Sequence, residues 1–145
     1  MKKILVIGES CRDVFVYCEA LRLCPDVPVP VLNVSNQIEN PGMAKNVQRN
    51  IQSLMRDCDL ITNDNWYHIT KTRYVHESSN HMFFRVDSPH TVDRIDLDMV
   101  DYDYDIIVVS DYNKGFMTEH DIATICDNHK NVFIDTKKIL GSWAS

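Results

Sequence analysis

The chain has 145 residues, of which 44% are hydrophobic and 25% charged, and its formal net charge is −6 at pH 7. That length suits one domain with its own buried core, and the apolar and charged fractions are ordinary for a soluble globular protein. The acidic balance argues against a nucleic-acid or anionic-membrane partner, and no apolar run approaches the roughly 20 residues of a membrane span.

The cysteines and histidines do not suggest a metal site. Five cysteines are an odd number and form no CxxC pair, so a disulfide framework or zinc site is not expected, and a cytoplasmic location suits the chain. The six histidines show no HxxxH or HExxH spacing. The opening MKKILVIGES has an apolar stretch too short for a signal peptide, and it predicts a first buried strand instead.

Strands alternate with helices along the chain. Apolar runs predict strands over residues 3–8, 13–18, 27–34, 58–62, 105–110 and 131–136. Prolines 28 and 30 place the third run at a sheet edge or in a lid, because proline cannot donate to a ladder. Residues 71–77 and 81–87 are rich in aromatic and β-branched side chains, and they predict a hairpin around SSN.

Three helices are expected. Pro41-Gly42 predicts a turn that leads into a helix over 44–54, with Val47, Ile51 and Leu54 on its inner face. The start of that helix offers backbone N–H groups that suit a hydroxyl or an anion. The alternative is that the Pro41-Gly42 segment is only a loop that contains glycine, with no role in ligand binding. A second helix is expected to begin within 88–100.

The last predicted helix begins after Thr118, where Asp121 completes a variant of the capping box. Its inner face is expected to carry Ile122, Ile125, Cys126 and His129. Alternating strands and helices indicate a parallel α/β sheet, and the proline-bearing strand and the hairpin indicate a separate small β layer.

Ligand sites of α/β sheets lie at the C-terminal ends of the strands, which here lead into 8–13, 110–115 and 135–138. Asp13 is suited to accept hydrogen bonds from two sugar hydroxyls, or is a solvated turn residue. Lys114 and Lys137 are candidate phosphate ligands or exposed lysines, and Arg73 and Arg85 are hairpin charges. The acidic stretch 96–105 lacks the glycine and glutamate of a calcium loop, so a solvated segment is expected.

Six segments in order carry a family resemblance: KILVIGESCRDVFVYC, RLCPDVPVPVLNV, NPGMAKNVQRNI, KTRYV with FFRVD, IIVVSDYNKG and VFIDTKK. Together they resemble the N-terminal half of a ribokinase-like (PfkB-type) carbohydrate kinase. The heptose phosphate kinase domain of the bifunctional ADP-heptose synthases is the most similar branch. The matches span most of residues 3–138.

The resemblance implies a truncated ribokinase-like, Rossmann-like α/β fold over residues 1–145. It would have a three-layer parallel sheet and a small β lid from segments near 13–40 and 71–87. It also implies that Asp13, Gly42 and Asn46 line a sugar or sugar phosphate pocket, over which Lys71 and Arg73 of the lid close. Lids of this kind pair between subunits, which implies a homodimer.

The chain also departs from the family pattern. Met43 replaces the second glycine of the turn, Lys45 replaces a small residue, and Glu9 stands where an aspartate is expected. A side chain at position 43 is expected to crowd the sugar or to require a backbone conformation that methionine disfavours. Only 16 residues separate Leu54 from Lys71, so a strand–helix–strand section that the family has there is expected to be largely missing.

No catalytic residue is predicted within these residues. The family's G-A-G-D motif, which supplies a general base and an anion hole, does not occur in the sequence, nor does an H-x-G-H nucleotidyltransferase motif. Phosphoryl transfer depends on positioning and charge stabilisation, so Mg-ATP is expected as a cofactor only if another chain completes the site.

Three hypotheses remain. The chain is a carbohydrate kinase homologue that retains the sugar-binding half and lacks the ATP half, as a minimal form or as half of a split enzyme. Alternatively, it is a non-catalytic sugar phosphate-binding or dimerisation module that regulates or complements a full-length kinase. A weaker hypothesis is a decayed gene product. The chemistry favours sugar binding without autonomous catalysis, in a dimer that covers the exposed sheet edge.

Overall fold

The structure is a computed structural model that describes residues 2–54 and 57–144, and the strands within them form two four-stranded sheets. The elements in chain order are β1 (Ile4–Gly8), β2 (Ser10–Leu23), β3 (Pro30–Met43), α1 (Ala44–Leu54), β4 (Cys58–Ile61), β5 (Thr70–His76), β6 (Met82–Asp87), β7 (Ile106–Asp111), α2 (Glu119–Asn128) and β8 (Val132–Thr136). In the described ranges no helix is long and apolar enough to cross a membrane.

The first sheet is parallel throughout, in the strand order β4-β1-β7-β8, as the alternation of strands and helices predicted. Its central strands are buried on both faces. Leu5 and Ile7 of β1 pack with α2 and the segment before β7, whereas Ile4 and Val6 pack with α1. A sheet between two helical layers is the expected three-layer α/β architecture.

Helix α1 spans the predicted residues. Val47 and Ile51 pack against the parallel sheet, but Leu54 is 87% exposed, so its predicted place on the inner face is wrong. Leu54 is the last residue of the helix.

The second sheet, in the order β3-β2-β5-β6, is called the lid below. Strands β2 and β3 form a long antiparallel hairpin, β5 runs parallel to β2, and β6 is antiparallel to β5. Strand β3 lies at the edge, as the prolines predicted, and β5 and β6 form the predicted hairpin. The lid begins at Ser10, so most of the predicted loop 8–13 belongs to β2 instead.

Two local predictions are wrong. Pro41 and Gly42 lie in β3, opposite Arg12 and Cys11, and the chain changes direction at Met43, whose φ is 58°. The expected helix within 88–100 is absent there, where the structure has only a short 3-10 turn over Leu97–Met99. The rest of that segment lies across the apolar cluster under α2, since Ile95 is buried and donates its N–H to Phe116.

Helix α2 starts where the sequence predicted. The Thr118 hydroxyl accepts a hydrogen bond from the Asp121 N–H at 3.2 Å, and the Asp121 carboxylate accepts one from the Thr118 N–H at 2.7 Å. Ile122 and Ile125 are fully buried and Cys126 packs beside them. His129 lies just beyond the helix, so its predicted place on the helical face is corrected to the C-cap.

We expect Thr118→Ala to lower the free energy of unfolding by about 1 kcal/mol, because it removes the oxygen that caps the helix. Thr124→Ala is the matched control. The Thr124 hydroxyl bonds only the His120 carbonyl within the same helix, so its loss should change stability by less than about 0.5 kcal/mol. Urea unfolding of both variants measures the difference, and equal values would contradict the capping role.

Candidate functional site

A cavity of about 530 Å³ lies between the lid and the C-terminal ends of the parallel strands. The lid contributes Lys71, Arg73, Arg85 and Asp87, the parallel sheet contributes Tyr112, Lys114 and Lys137, and Met43 and Ile69 lie where the two sheets meet. The structure therefore brings together four side chains that were predicted as ligand-binding residues, namely Lys71, Arg73, Lys114 and Lys137.

The cavity wall is strongly basic in a chain whose net charge is −6. Arg85 pairs with Asp87 at 2.8 Å, and Arg73 pairs with Asp13 at 3.1 Å. In residues 2–54 and 57–144, the three lysines of the wall make no ion pair. A cleft lined by one sign of charge concentrates ligands of the opposite sign, so this cavity suits an anion.

Strand pairing directs the lid charges toward the cavity. Asp13 of β2 lies opposite Lys71 of β5, which in turn lies opposite Asp87 of β6. Arg73 and Arg85 form the next such pair on the same face. Because successive side chains alternate between the faces of a strand, these residues share the face that lines the cavity.

The loop after β7 presents Lys114 to the cavity. Asn113 and Gly115 adopt left-handed backbone conformations, with φ of 57° and 101°, which turn the loop tightly. The Asp111 carboxylate accepts the Asn113 N–H at 3.2 Å, and the fully buried Glu9 carboxylate accepts the Lys114 N–H at 2.8 Å. The backbone around Lys114 is therefore held from two sides.

The backbone of Lys137 is held in place by Asp111, which also bonds the side chain of the next residue, Lys138. Asp111 is buried, and its carboxylate accepts hydrogen bonds from Lys138 Nζ at 2.7 and 2.8 Å and from the Thr136 hydroxyl. The Asp111 carbonyl accepts the Lys137 N–H at 3.1 Å. The Lys137 ammonium then lies 5.0 Å from the Tyr112 ring centroid, within the range of a cation–π contact.

Glu9, Asp111 and Lys138 are site-supporting residues that the sequence predictions did not include. They were covered only as members of the predicted strand-end segments 8–13, 110–115 and 135–138, and Glu9 also as a departure from the family pattern. The available signal was an acidic residue at the end of each neighbouring strand, β1 and β7, which places two carboxylates at one sheet edge.

Gly42 allows β3 to approach Asp13 closely. A Cβ at this position would lie 2.5 Å from Cys11 Sγ and 2.8 Å from Asp13 Oδ2, closer than packed atoms approach. Asp13 and Gly42 thus lie close together, but neither lines the cavity, although the resemblance implied that both line a sugar pocket. Burial raises the pKa of the Cys11 thiol to about 11, with nearby Lys71 opposing that rise, so the thiol is protonated at neutral pH.

Asn46 is exposed on the first turn of α1 and does not line the cavity. Two of the N–H groups at the beginning of this helix are already bonded within the chain. The Ala44 N–H donates to the Glu9 carbonyl at 3.0 Å, and the Lys45 N–H donates to the Ser10 hydroxyl at 3.1 Å. Within the described ranges, no group of three His, Cys, Asp or Glu side chains is arranged to hold a metal ion.

Met43 has an unusual backbone for a residue with a side chain. Its φ of 58° costs about 1–2 kcal/mol in an L-residue other than glycine. The methionine is nevertheless buried, and it packs with Cys11 and Ile69 in a small apolar cluster where the lid meets the parallel sheet. That packing offsets the cost, and the strain expected from the sequence at this position is present.

Comparisons with known proteins show which proteins this chain is similar to. The bifunctional protein HldE of Helicobacter pylori strain J99 is 30% identical over 176 aligned positions, which cover 94% of this chain and 38% of HldE. HldE of Hyphomonas neptunium is 45% identical over 53 residues, which cover 37% of this chain and 11% of that protein. The chain thus spans well under half the length of these relatives. No protein family model matches the chain.

Solved structures show the same fold at low sequence identity. Escherichia coli phosphofructokinase-2 in complex with fructose-6-phosphate superposes with a TM-score of 0.58 and 10% identity, covering 95% of this chain and 56% of the enzyme. The tetrameric inhibited form of the same enzyme gives a TM-score of 0.55 at 11% identity, covering 94% of this chain and 55% of that chain.

We expect Gly42→Ala to lower the free energy of unfolding by about 1–3 kcal/mol, because the added methyl group meets Cys11 and Asp13. Cys11→Ala removes the nearer of these contacts. In that background the effect of Gly42→Ala should be smaller, and a double-mutant cycle by urea unfolding measures the coupling. Strict additivity would show that the two residues do not compete for space.

Proposed function

The matches confirm the resemblance to the ribokinase-like carbohydrate kinases, and from this premise we propose that the chain binds a sugar phosphate in the basic cavity between the lid and the parallel sheet. The single observation that carries the proposal is the cavity wall itself. Five of the 15 lysines and arginines in an acidic chain line this one cavity, and only one carboxylate, Asp87, lines it with them.

The phosphate is proposed to lie between Lys114 and Lys137, because their ammonium groups have no carboxylate partner among the described residues and face the lid cations. Lys71 and Arg73 would close over the ligand from the lid. Asp13, Gly42 and Asn46 remain, by the resemblance, the proposed sugar-hydroxyl end of the site. The ion pair with Arg73 fixes the position of the Asp13 carboxylate.

The reaction class proposed for this site is phosphoryl transfer to a heptose phosphate-like sugar, provided that a nucleotide-binding part is joined to it. Phosphoryl transfer needs metal and donor groups that neutralise the transferred phosphate, and the cavity supplies only the acceptor side. The alternative is a sugar phosphate-binding or dimerisation module that regulates or complements a full-length kinase. The lid pairing described below would serve either role.

Ligand binding distinguishes these proposals. We expect saturating sugar phosphate, heptose phosphates included, to raise the melting temperature by several degrees, because a ligand at a hundredfold over its Kd adds about 2.7 kcal/mol. Mg-ATP alone should leave it unchanged. A shift with Mg-ATP together with product formation would favour the kinase over the module, and no shift with any sugar phosphate would refute both.

Charge substitutions test the placement of the phosphate. Lys114→Met and Lys137→Met should each weaken sugar phosphate binding by about tenfold to a hundredfold, because each removes a charged hydrogen bond. Lys130→Met is the matched control, since Lys130 is exposed and lies outside the cavity. Titration calorimetry measures all three, and equal losses in the control and the two cavity variants would contradict the placement.

A homodimer through the lid is also proposed. On the side opposite the cavity the lid exposes Val34, Phe84 and Val86, which border the buried Val14 and Val16 and the half-buried Tyr74. Tyr74 and Phe84 stack at 4.7 Å, yet Phe84 remains 48% exposed. Contiguous exposed apolar residues on a sheet are typical of an association surface.

The free thiols are consistent with a reducing compartment, and we propose a cytoplasmic location.

We expect sedimentation at micromolar concentration to show a dimer that Phe84→Ser converts to a monomer, because a polar side chain lowers the apolar area buried between copies. Phe133→Ser is the control, since Phe133 is exposed on β8 at the far edge of the parallel sheet. A monomer in the unsubstituted protein, or dissociation by the control alone, would contradict pairing through the lid.

A further inference from the structure

Tyr112 contacts a cation from each side of the cavity. It follows β7 directly and lines the cavity. Its ring centroid lies 5.0 Å from the Lys137 ammonium and 5.9 Å from the Lys71 ammonium, both within the roughly 6 Å range of a cation–π contact. Because Lys137 follows β8 of the parallel sheet and Lys71 lies in β5 of the lid, one aromatic ring connects the basic groups of the two sheets.

Lys71 makes this contact although two carboxylates lie beside it in the lid. Asp13 and Asp87 are its register partners on the neighbouring strands. Asp13, however, pairs with Arg73 at 3.1 Å, and Asp87 pairs with Arg85 at 2.8 Å. The described part of the chain shows no ion pair for Lys71, so its positive charge is not offset by a carboxylate.

The ring is held in place by packing. Tyr112 is half-buried and packs against the cluster of Cys11, Met43 and Ile69, where the lid meets the parallel sheet. Met43 Sδ lies 3.3 Å from the Lys71 ammonium, so this cluster contacts the lysine as well. Two like charges repel each other, and the negative face of an aromatic ring offsets part of that repulsion.

We propose that Tyr112 is a positioning residue of the anion site, whose ring holds Lys71 and Lys137 so that both face one bound phosphate group. A lysine ammonium is carried on a flexible four-carbon chain, which loses freedom when it binds a ligand. A ring that fixes the ammonium beforehand lowers that cost and raises the affinity. This inference rests on the proposed sugar phosphate binding, and it assigns part of the affinity to a ring that acts through the lysines.

Fluorination of the ring separates this role from simple packing. Tyr112→Phe keeps the ring face and should retain most of the affinity for glucose 6-phosphate. Tyr112→pentafluorophenylalanine keeps the ring shape but reverses the charge of its face, and it should weaken binding by about tenfold relative to Tyr112→Phe. Phe133→pentafluorophenylalanine is the matched control, since Phe133 is exposed and lies outside the cavity. Titration calorimetry measures all of these proteins.

Lysine substitutions test whether the ring acts through Lys71 and Lys137. In the Lys71→Met or the Lys137→Met background, fluorination at position 112 should weaken binding by only about threefold, because one cation–π contact remains. In the Lys114→Met background the full tenfold effect should persist, since Lys114 lines the cavity but is not one of the two cations on the Tyr112 ring.

The possible failures are distinguishable. Equal affinities of Tyr112→Phe and the fluorinated variant would overturn the positioning role alone. A loss in Tyr112→Phe as large as the loss on fluorination would assign the effect to the hydroxyl and also overturn it. The same follows if the fluorination effect is undiminished in the Lys71→Met and Lys137→Met backgrounds. If the unsubstituted protein bound neither glucose 6-phosphate nor heptose phosphates, the proposed function would fail, and the inference with it.

Discussion

Glu9, a fully buried residue, joins the two parts of the molecule that face each other across the cavity. It lies between β1 of the parallel sheet and β2 of the lid. Its carbonyl accepts the N–H of Ala44 at the start of α1, and its Oε1 accepts the N–H of Lys114 in the loop after β7. The other carboxylate oxygen is buried with no partner in the described part of the chain. Because a buried carboxylate without partners is costly, the bond from Lys114 to Oε1 holds the basic loop in place, and the Glu9 backbone carbonyl holds the start of α1.

The distribution of charge follows from that framework. Parallel strands end at one edge of their sheet, which brings Lys114 and Lys137 together although they lie in different loops. The lid then places its own cations across from them. The buried ion pair between Asp111 and Lys138 adds little net charge to the cavity, because the two opposite charges offset each other. The cavity is therefore positive within an acidic chain, which is the condition for attracting an anion without attracting polyanions over the whole surface.

The lid separates two tasks by the alternation of its side chains. One face carries Lys71, Arg73 and Arg85 toward the cavity, and the other carries Phe84 and Val86 outward. Ligand binding and association between copies would thus depend on opposite faces of the same strands. A substitution that shifts the register of one strand would exchange the two faces, so both tasks constrain the lid to one pairing.

Much of the fold was predictable from the sequence, because its signals are local. The period of α1, the capping box of α2, the apolar strands and the prolines of β3 each depend on residues close in the chain. The grouping of Lys71, Arg73, Lys114 and Lys137 in one site also followed, from the rule that ligands lie at strand ends and from the family resemblance. The absent helix within 88–100 was not predictable, because that segment is stabilised by contacts with a distant cluster that outweigh its helical pattern.

The tertiary structure alone decided the details of the site. The sequence by itself determined that Met43 replaces a glycine, that an acidic residue follows β1 and that lysines follow two strands. Only the folded chain decided that Met43 lines the cavity while Asp13 does not, and that Glu9 and Lys138 hold the basic loops. The reason is that these roles depend on hydrogen bonds and packing between residues up to about a hundred positions apart, which no local pattern of residues specifies.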